Sequence, residues 1–219
     1  VPGDYLAEPV WCGVVFGMDN LRYWLGFNLV RGIGPVRLRA LLESFGDVQA
    51  AWEAPEADLC LVGLDQRSLK NLVLARRQVD LEQLQLKIEA AGITALTWDD
   101  PAYPTLLRQI PDAPPVLYVK GNLTVADEWA VGLVGTRKPT PYGREVARLL
   151  ASELVSNGVT VVSGLARGVD GIAHQAALDA GGRTLAVLGS GLDQIYPREH
   201  SALAERIAAQ GALLRSEEH

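Results

Sequence analysis

The sequence has little of several features that would point to particular protein classes. It holds two cysteines in 219 residues, Cys12 and Cys60, and they do not stand at a metal-ligand spacing. We expect each to be a buried reduced thiol, which favours a cytoplasmic location. No run of about 18 apolar residues is present, so no membrane-spanning helix is predicted. The N-terminus lacks a basic segment followed by an apolar one, so a secretory signal is not expected.

Basic residues are scarce for a nucleic-acid-binding protein. The chain carries 20 Lys and Arg against 26 Asp and Glu, a formal net charge of −6. The acidic excess lies mainly in residues 1–131, with 11 basic and 17 acidic residues, whereas residues 132–200 hold 7 and 6. A broad basic DNA-binding surface is therefore not predicted, but a local anion site in the second segment is compatible with the charge.

The first half of the chain predicts a small helical domain over residues 18–90. Residues 1–17 form an extension of unclear origin, because Met18 is the only methionine. Asp19 is expected to cap a first helix, whose apolar residues recur with helical spacing. Short helices with glycine turns follow, and one long helix is predicted over residues 65–91.

The turn between the first two helices, RGIGP at residues 31–35, is typical of a helix-hairpin-helix. In that arrangement, loop N–H groups and a helix N-terminus hold a DNA phosphate. The simpler alternative is that the glycines only allow two helices to turn closely. We favour the simpler alternative, because one short motif beside an acidic sequence is weak support for DNA contact.

From residue 91 onward the pattern predicts an α/β fold, a Rossmann-like domain over residues 91–219. Apolar runs alternate with amphipathic helices, which indicates a parallel sheet with helices on both faces. Strands are expected at 93–98, 116–121, 129–135, 159–163, 184–189 and 212–215, and helices at 141–157, 168–180 and 200–210. In the first of these helices, the residues expected to face the sheet are Val146, Leu149, Leu150 and Leu154.

Three strands of this series end in turns rich in glycine and small residues. Because the carboxyl ends of parallel strands meet at one edge, we expect a single crevice lined with backbone N–H groups and arginines, which suits phosphate. In the first turn, Gly135 allows close approach and Thr136 adds a hydroxyl. Arg137 can form a bidentate contact and Lys138 adds a charge. Solvated loop charges are the less favoured alternative, because ligands collect at this edge.

The other candidate residues continue this first turn or belong to the next two. Tyr142, followed by Gly143 in the first helical turn, can hydrogen-bond to a base or stack on it. We expect Asp193 to orient the arginines or to contact a ribose. The candidates in the second and third turns are Ser163, Gly164, Arg167, Gly168, Gly189, Gly191 and Asp193.

Cofactor and nucleotide fingerprints are absent from all three turns. The first does not match G-x-G-x-x-G, no acidic residue closes the second strand, and no G-K-[ST] follows any strand. We therefore predict no cofactor and no metal. Asp170 and His174, four apart on one helix face, form either an acid/base pair or a structural pair. The structural alternative is favoured because no nucleophile or metal set accompanies them.

Four segments in this order resemble the DNA-processing protein A family, also called DprA or Smf. They are WDDPAYPTLLRQIPDAPPVLYVKGNL, VGTRKPTPYG, SGLARGVDGIAH and GSGLDQIYPREH, preceded by the helical GIGP region. The resemblance implies a sterile-alpha-motif-like domain followed by an extended Rossmann fold. It also implies that single-stranded DNA binds in the crevice without enzymatic turnover. The residues that match the family's three turns are Gly135 to Lys138, Ser163, Gly164, Arg167, Gly168, Gly189, Gly191 and Asp193.

The resemblance further implies partners and an assembly. Family members pass incoming single strands to RecA in the presence of single-strand-binding protein during natural transformation, and they act as homodimers. The family continues beyond the LLRSEEH segment into more of the Rossmann domain and a winged-helix-like domain. Dimerisation and part of the RecA surface are therefore expected to lie outside this chain.

Two other functions remain open on the residues alone. One is a nucleotide or nucleoside-phosphate hydrolase that uses Asp170, His174 and Asp193, although the glycine-rich loop that such enzymes use is absent. The other is a scaffold with a vestigial crevice. The leading hypothesis is a non-enzymatic single-stranded DNA-binding protein, whose phosphate contacts make binding nearly independent of sequence.

Overall fold

A computed structural model describes residues 20–216, which form ten α-helices and six β-strands. Asp19, Met18 and Cys12 lie outside the described residues. The helices are α1 Leu21–Leu29, α2 Pro35–Phe45, α3 Val48–Glu53, α4 Glu56–Leu61, α5 Gln66–Gln78, α6 Leu81–Ala90, α7 Thr105–Arg108, α8 Pro141–Ser156, α9 Val169–Asp179 and α10 Ser201–Gln210. The strands are β1 Thr94–Thr97, β2 Val116–Gly121, β3 Ala130–Gly132, β4 Thr160–Ser163, β5 Thr184–Val187 and β6 Ala212–Arg215.

Helices α1 to α6 pack around apolar side chains that form one cluster with residues of the sheet and its helices, such as Val116 and Ile207. The prediction of one helix over residues 65–91 is wrong, because the chain leaves helical geometry at Val79 (ψ 119°) and starts α6 after Asp80. The Asp80 side chain accepts a hydrogen bond from the N–H of Gln83 at 3.0 Å, which satisfies a free donor of the new helix. Cys60 is exposed, so its predicted burial is also wrong. Fully buried members of this core include Leu25, Phe27, Leu41, Leu59 and Leu72.

The six strands form one mixed sheet in the order β1-β2-β6-β5-β4-β3. Strands β3, β4, β5 and β6 run parallel to one another, which confirms the α/β fold class with its mostly parallel sheet. Strand β2 is antiparallel to both β1 and β6, which the sequence pattern did not predict. Residue Tyr118 of β2 stands opposite Arg215 of β6, so the segment before the β–α series is joined directly to its last strand.

Helices α8, α9 and α10 lie on one face of the sheet. The parallel strands advance in one direction from β3 to β6, so successive right-handed crossovers place their helices on the same side. Among the described residues, the other face is covered at the β1–β2–β6 end, where Tyr103 and Leu107 of the α7 region pack on Leu117 and Leu214. The carboxyl ends of β3, β4 and β5 are left at one edge, where their turns meet.

Helix α8 packs on α9 through small side chains. Ala151 shares an apolar cluster with Ala173, Ala176 and Ala177 of α9, which lets the two helices approach closely. The predicted inward positions of Leu149 and Leu150 are wrong, since these side chains are 57% and 50% exposed. Large apolar side chains are also exposed on edge strand β3 and in the residues beside it, at Trp129, Val131 and Val134.

Candidate phosphate and nucleic-acid site

The three predicted turns meet in one crevice at the carboxyl ends of β3, β4 and β5. Its cavity has a volume of about 280 Å³ and takes residues from all three turns. Arg137 comes from the first turn, Gly164 and Arg167 from the second, and Gly189 from the third. Tyr196, 65% exposed, forms part of the wall. Two arginines that are 30 positions apart in the sequence therefore face the same small space.

The first and second turns interlock through glycines. Gly168 has a φ of +83°, and a Cβ at this position would lie 2.3 Å from the carbonyl oxygen of Thr136. The N–H of the next residue, Val169, donates to that same oxygen at 3.1 Å. A Cβ on Gly135 would lie 2.8 Å from the Val169 side chain. These glycines are thus required by the packing of one turn on the other, whatever the crevice binds.

The side chain of Asp170 links the same two turns through hydrogen bonds. Its Oδ1 accepts from the N–H of Gly135 at 3.4 Å, and its Oδ2 accepts from the N–H of Gly164 at 3.2 Å. The carboxylate is buried. The expectation that backbone N–H groups line the crevice is wrong for these two glycines, because their N–H groups point to Asp170. The positive charge that remains for an anion is carried mainly by side chains.

His174 lies deeper, between α9 and the sheet, and is fully buried. The Thr184 hydroxyl donates to the carbonyl of Val161 at 2.7 Å, so it accepts from His174 Nδ1, which is also 2.7 Å away. Burial lowers the pKa of His174 to about 4, and Nε2 has no hydrogen-bond partner. Asp170 contacts the glycine amides instead, so the geometry favours the structural alternative over an acid/base pair.

Arg167 is held by a carboxylate that the sequence did not single out. Its Nε and Nη2 donate to Glu199 Oε1 and Oε2 at 2.6 and 2.8 Å, a bidentate ion pair with both side chains more than half exposed. This hydrogen bonding raises the pKa of Arg167 and lowers the pKa of Glu199. Glu199 thus presents two oxygens to the guanidinium, as a phosphate does when an arginine binds it in bidentate fashion.

The rest of the first turn is exposed. Arg137 and Lys138 have no carboxylate within ion-pair distance among residues 20–216. The Thr136 hydroxyl accepts from the Lys138 N–H at 3.2 Å, which stabilises the turn locally. Tyr142 is 80% exposed on the first turn of α8. The N–H of Gly143 donates to the α8 N-cap, so Gly143 serves the helix start and not the crevice.

Two predicted residues do not line the cavity that Arg137 and Arg167 share. Ser163 is buried, and its hydroxyl donates to the carbonyl of Leu133 at 2.6 Å, which links β4 to the end of β3. Asp193 lines an adjoining cavity of about 800 Å³ together with Gly191 and Arg198, and this cavity shares Tyr196 with the crevice. The expected role of Asp193 in orienting an arginine is performed by Glu199. Asp170, His174 and Asp193 are therefore not assembled into one hydrolytic site.

Four residues near the crevice were not among the predicted candidates. Glu199 and Tyr196 belong to the GSGLDQIYPREH segment. Arg144 and Arg148 lie four apart on α8. The i, i+4 spacing of these two arginines could have been found in the sequence. The ion pair between Arg167 and Glu199 could not, because the two residues are 32 positions apart.

Residues 20–216 contain no group of three or more His, Cys, Asp or Glu side chains placed to share a metal ion. Within this part of the chain, no helix has both the length and the apolar character to span a bilayer.

Comparison with known proteins identifies relatives of the whole arrangement. A sequence model described as DNA recombination-mediator protein A matches residues 94–219. Protein Smf of Synechocystis is 41% identical over 88% of this chain and 50% of its own length. DNA processing protein DprA of Bacillus subtilis is 42% identical over 56% of this chain and 42% of its own length. The chain thus spans about half the length of these curated relatives.

Solved structures show the same likeness. DNA processing protein A of Streptococcus pneumoniae superimposes with a TM-score of 0.73 at 29% identity, covering 89% of this chain and 67% of that one. DNA processing protein A of Helicobacter pylori, from work on its single-stranded DNA binding mode, gives 0.51 at 34% identity, over 58% and 56%. The chain belongs to the DNA recombination-mediator protein A family, also known as DprA or Smf.

Proposed function

We propose that this chain binds single-stranded DNA in the crevice formed by the three turns and does not catalyse a reaction on it. The observation that carries the proposal is the convergence of Arg137 and Arg167 on one cavity. Arg137 has no acidic partner in the described residues, so it is available for a phosphate. The exposed rings of Tyr196 and Tyr142 offer faces on which unpaired bases can stack.

The assignment of contacts follows from this geometry. Arg137, Lys138 and Arg167 supply charge, and the open space above Gly189 allows close approach of the backbone. Thr136, Gly135, Gly164 and Gly168 shape the turns. Since the charged side chains recognise phosphates and not base edges, binding is expected to depend little on sequence and strongly on salt. The relative from Helicobacter pylori, whose single-stranded DNA binding mode has been described, supports the ligand class.

The test is a titration of labelled single-stranded and double-stranded oligonucleotides at two salt concentrations, followed by fluorescence anisotropy. We expect the single strand to bind more tightly than the double strand. Arg137→Ala should lower the affinity for the single strand about tenfold or more, which corresponds to the loss of one charge-assisted hydrogen bond. Arg77→Ala is the matched control, because Arg77 is an exposed arginine on α5, outside the crevice. Equal affinity of Arg137→Ala and the wild type would overturn the site, and no binding by the wild type would support the vestigial scaffold.

The hydrolase alternative is not proposed, because Asp170 and His174 are buried in structural contacts and Asp193 lines a different cavity. Release of inorganic phosphate from nucleoside monophosphates, abolished in Asp193→Asn, would contradict this choice.

We also propose that the protein loads RecA onto single-stranded DNA, including strands that are already covered by single-strand-binding protein. The family membership supports a role in recombination, and a crevice that contacts phosphates leaves base edges accessible to a second protein. The test is RecA filament formation on single strands coated with single-strand-binding protein. We expect faster filament formation with the protein in its full length than with its Arg137→Ala variant, and no difference would contradict the proposal.

A homodimer is proposed for the protein in its full length. The exposed apolar side chains of edge strand β3 and of α8, among them Trp129, Val131 and Leu149, support it, because exposed apolar surface favours coverage by a second copy. Sedimentation of the full-length protein at micromolar concentration is expected to give a dimer, and a monomer would contradict the proposal.

A further inference from the structure

A second cavity opens beside the crevice, among α8, α9 and α10. Its volume is about 650 Å³, and it shares Arg137 and Arg167 with the crevice. Arg144 and Arg148 of α8 also line it. We call the surface formed by these four residues the arginine groove. The groove is continuous with the crevice because the two arginines belong to both.

Acidic neighbours do not neutralise the arginine groove. Two carboxylates line it, Glu199 and Asp179. Glu199 is bound to Arg167, and Asp179 is bound by Arg206 of α10 at 2.9 Å. Arg148 pairs with Glu145 on its own helix.

Two of the four arginines remain without a carboxylate partner. Within residues 20–216, neither Arg137 nor Arg144 has an acidic group in ion-pair distance. A local excess of positive charge therefore lies in a chain whose net charge is −6. Exposed ion pairs such as that of Arg148 contribute little stability, so an incoming phosphate can replace their carboxylates.

The arginines of the groove extend beyond the crevice, because Arg144 and Arg148 line only the second cavity. Arg137 precedes the N-terminus of α8, and Arg144 and Arg148 follow on one face of that helix. At 1.5 Å per residue, the last two are separated by about 6 Å along the helix axis. An inorganic phosphate or a nucleoside monophosphate carries one phosphate group, whereas a strand carries successive phosphates. A strand can therefore contact the crevice and the arginines of α8 at the same time.

The floor of the groove offers little for reading bases. Gly168, Gly171, Ala176 and Ala202, which line it, carry no side-chain donor or acceptor, and its uncharged polar side chains are those of Gln175 and His200. Its lining residues include no Phe, Tyr or Trp, in contrast to the crevice with its Tyr196. The groove therefore suits the phosphate backbone of a strand, whose bases face solvent.

We propose that the arginine groove is a second part of the DNA site, which takes the strand where it leaves the crevice and guides it along α8. The inference rests on the proposed binding of single-stranded DNA in the crevice. It predicts that a short strand uses the crevice alone, whereas a longer strand also contacts Arg144 and Arg148.

The experiment measures affinity against strand length. Oligothymidylates of about 4 to about 30 nucleotides bracket the ~4–16 nucleotides covered by other single-strand-binding folds. For Arg144→Ala/Arg148→Ala we expect wild-type affinity for the shortest strands and a loss of about tenfold for the longest. The slope of log affinity against log salt should fall by about 1.4 for long strands, about 0.7 for each lost phosphate contact.

The controls separate the groove from the crevice. Arg67→Ala/Arg77→Ala removes the same charge from exposed positions on α5 and should bind all lengths like the wild type. Arg137→Ala should bind all lengths weakly. If the wild type binds no oligonucleotide, the crevice itself is refuted and the groove with it. If the wild type binds and Arg144→Ala/Arg148→Ala matches it at every length, or loses equally at every length, or if the α5 control shows the same loss, the groove alone is refuted.

Discussion

Arg167 donates two parallel hydrogen bonds to Glu199, from Nε to Oε1 at 2.6 Å and from Nη2 to Oε2 at 2.8 Å. A carboxylate in this position imitates a phosphate, since both present two oxygens to the fork of the guanidinium. In the proposed complex a DNA phosphate must compete with Glu199. The ion pair therefore orders Arg167 before binding and at the same time opposes binding.

The first prediction concerns this competition. Glu199→Gln keeps the shape of the side chain but removes its charge, so Arg167 is held less strongly and the local potential is more positive. We expect the affinity for single-stranded oligonucleotides to rise a few-fold at low salt, with a smaller gain at high salt because screening weakens exposed charges. Fluorescence anisotropy at two salt concentrations measures it.

A matched control for Glu199 is Glu205→Gln on α10, which removes one exposed carboxylate without an ion pair to any arginine of the crevice. This variant should change affinity much less than Glu199→Gln. Weaker binding by Glu199→Gln would show that Glu199 holds Arg167 in the productive position and does not compete with phosphate.

The second prediction concerns Asp170, which accepts from the N–H groups of Gly135 and Gly164. In Asp170→Asn one acceptor oxygen is replaced by an NH₂ group that faces an N–H donor. We expect unfolding free energy to fall by about 2 kcal/mol, the order of a lost hydrogen bond to a buried charged group. Because Asp170 links the first two turns, its replacement should leave their positions less well fixed, and the affinity for single-stranded DNA should fall as well. Urea denaturation and anisotropy measure the two effects.

Asp193→Asn is the comparison, since Asp193 is exposed and lies outside the arginine-lined crevice. Its unfolding free energy should stay within about 0.5 kcal/mol of the wild type, as for most surface substitutions. Equal stability of Asp170→Asn and Asp193→Asn would contradict the role assigned to Asp170.

The third prediction concerns the contact between the first two turns. Gly168→Ala places a Cβ 2.3 Å from the Thr136 carbonyl oxygen at a φ of +83°. Gly158→Ala has a similar φ of +75°, but its Cβ would meet no atom within 4 Å. Gly158→Ala should therefore cost about 1 kcal/mol of unfolding free energy for the backbone alone, and Gly168→Ala clearly more. Only Gly168→Ala should lose DNA affinity. If urea denaturation gave the same loss of unfolding free energy for Gly168→Ala and Gly158→Ala, the close contact between the first two turns would contribute nothing to stability.

Much of the fold could be predicted from periodicity in the sequence. The strand predicted at residues 116–121 is β2, and the predicted helix at 200–210 begins at Ser201 in α10. The failures have local and non-local causes. Asp80 is a capping residue inside an apparently continuous helical pattern, and its side chain ends one helix to start the next. The exposure of Leu149 depends on how closely α9 approaches α8, which periodicity does not contain.

The location of the candidate site could be predicted from the sequence, but the hydrogen-bond and ion-pair partners of its residues could not. Glycines and arginines at strand ends led to the crevice, because parallel strands bring their carboxyl ends together. The partners of those residues are distant in sequence. Gly135 and Asp170 are 35 positions apart, and Arg167 and Glu199 are 32 apart. Which N–H groups and which arginines remain available for a ligand depends on such pairs, so it required the structure.

The last prediction concerns the dependence of stability on pH. His174 has a folded-state pKa of about 4, lowered from 6.5 by burial, so the folded protein binds its proton less readily than the unfolded chain. As pH falls from 7 to 5, the unfolded chain takes up a proton that the folded protein does not, and this residue should remove about 2 kcal/mol of unfolding free energy. Urea denaturation at both pH values measures the loss. His174→Asn keeps a donor toward Thr184 without a group that titrates in this range, so its loss should be smaller by about that amount. An unchanged loss in this variant would mean that other groups cause the dependence on pH.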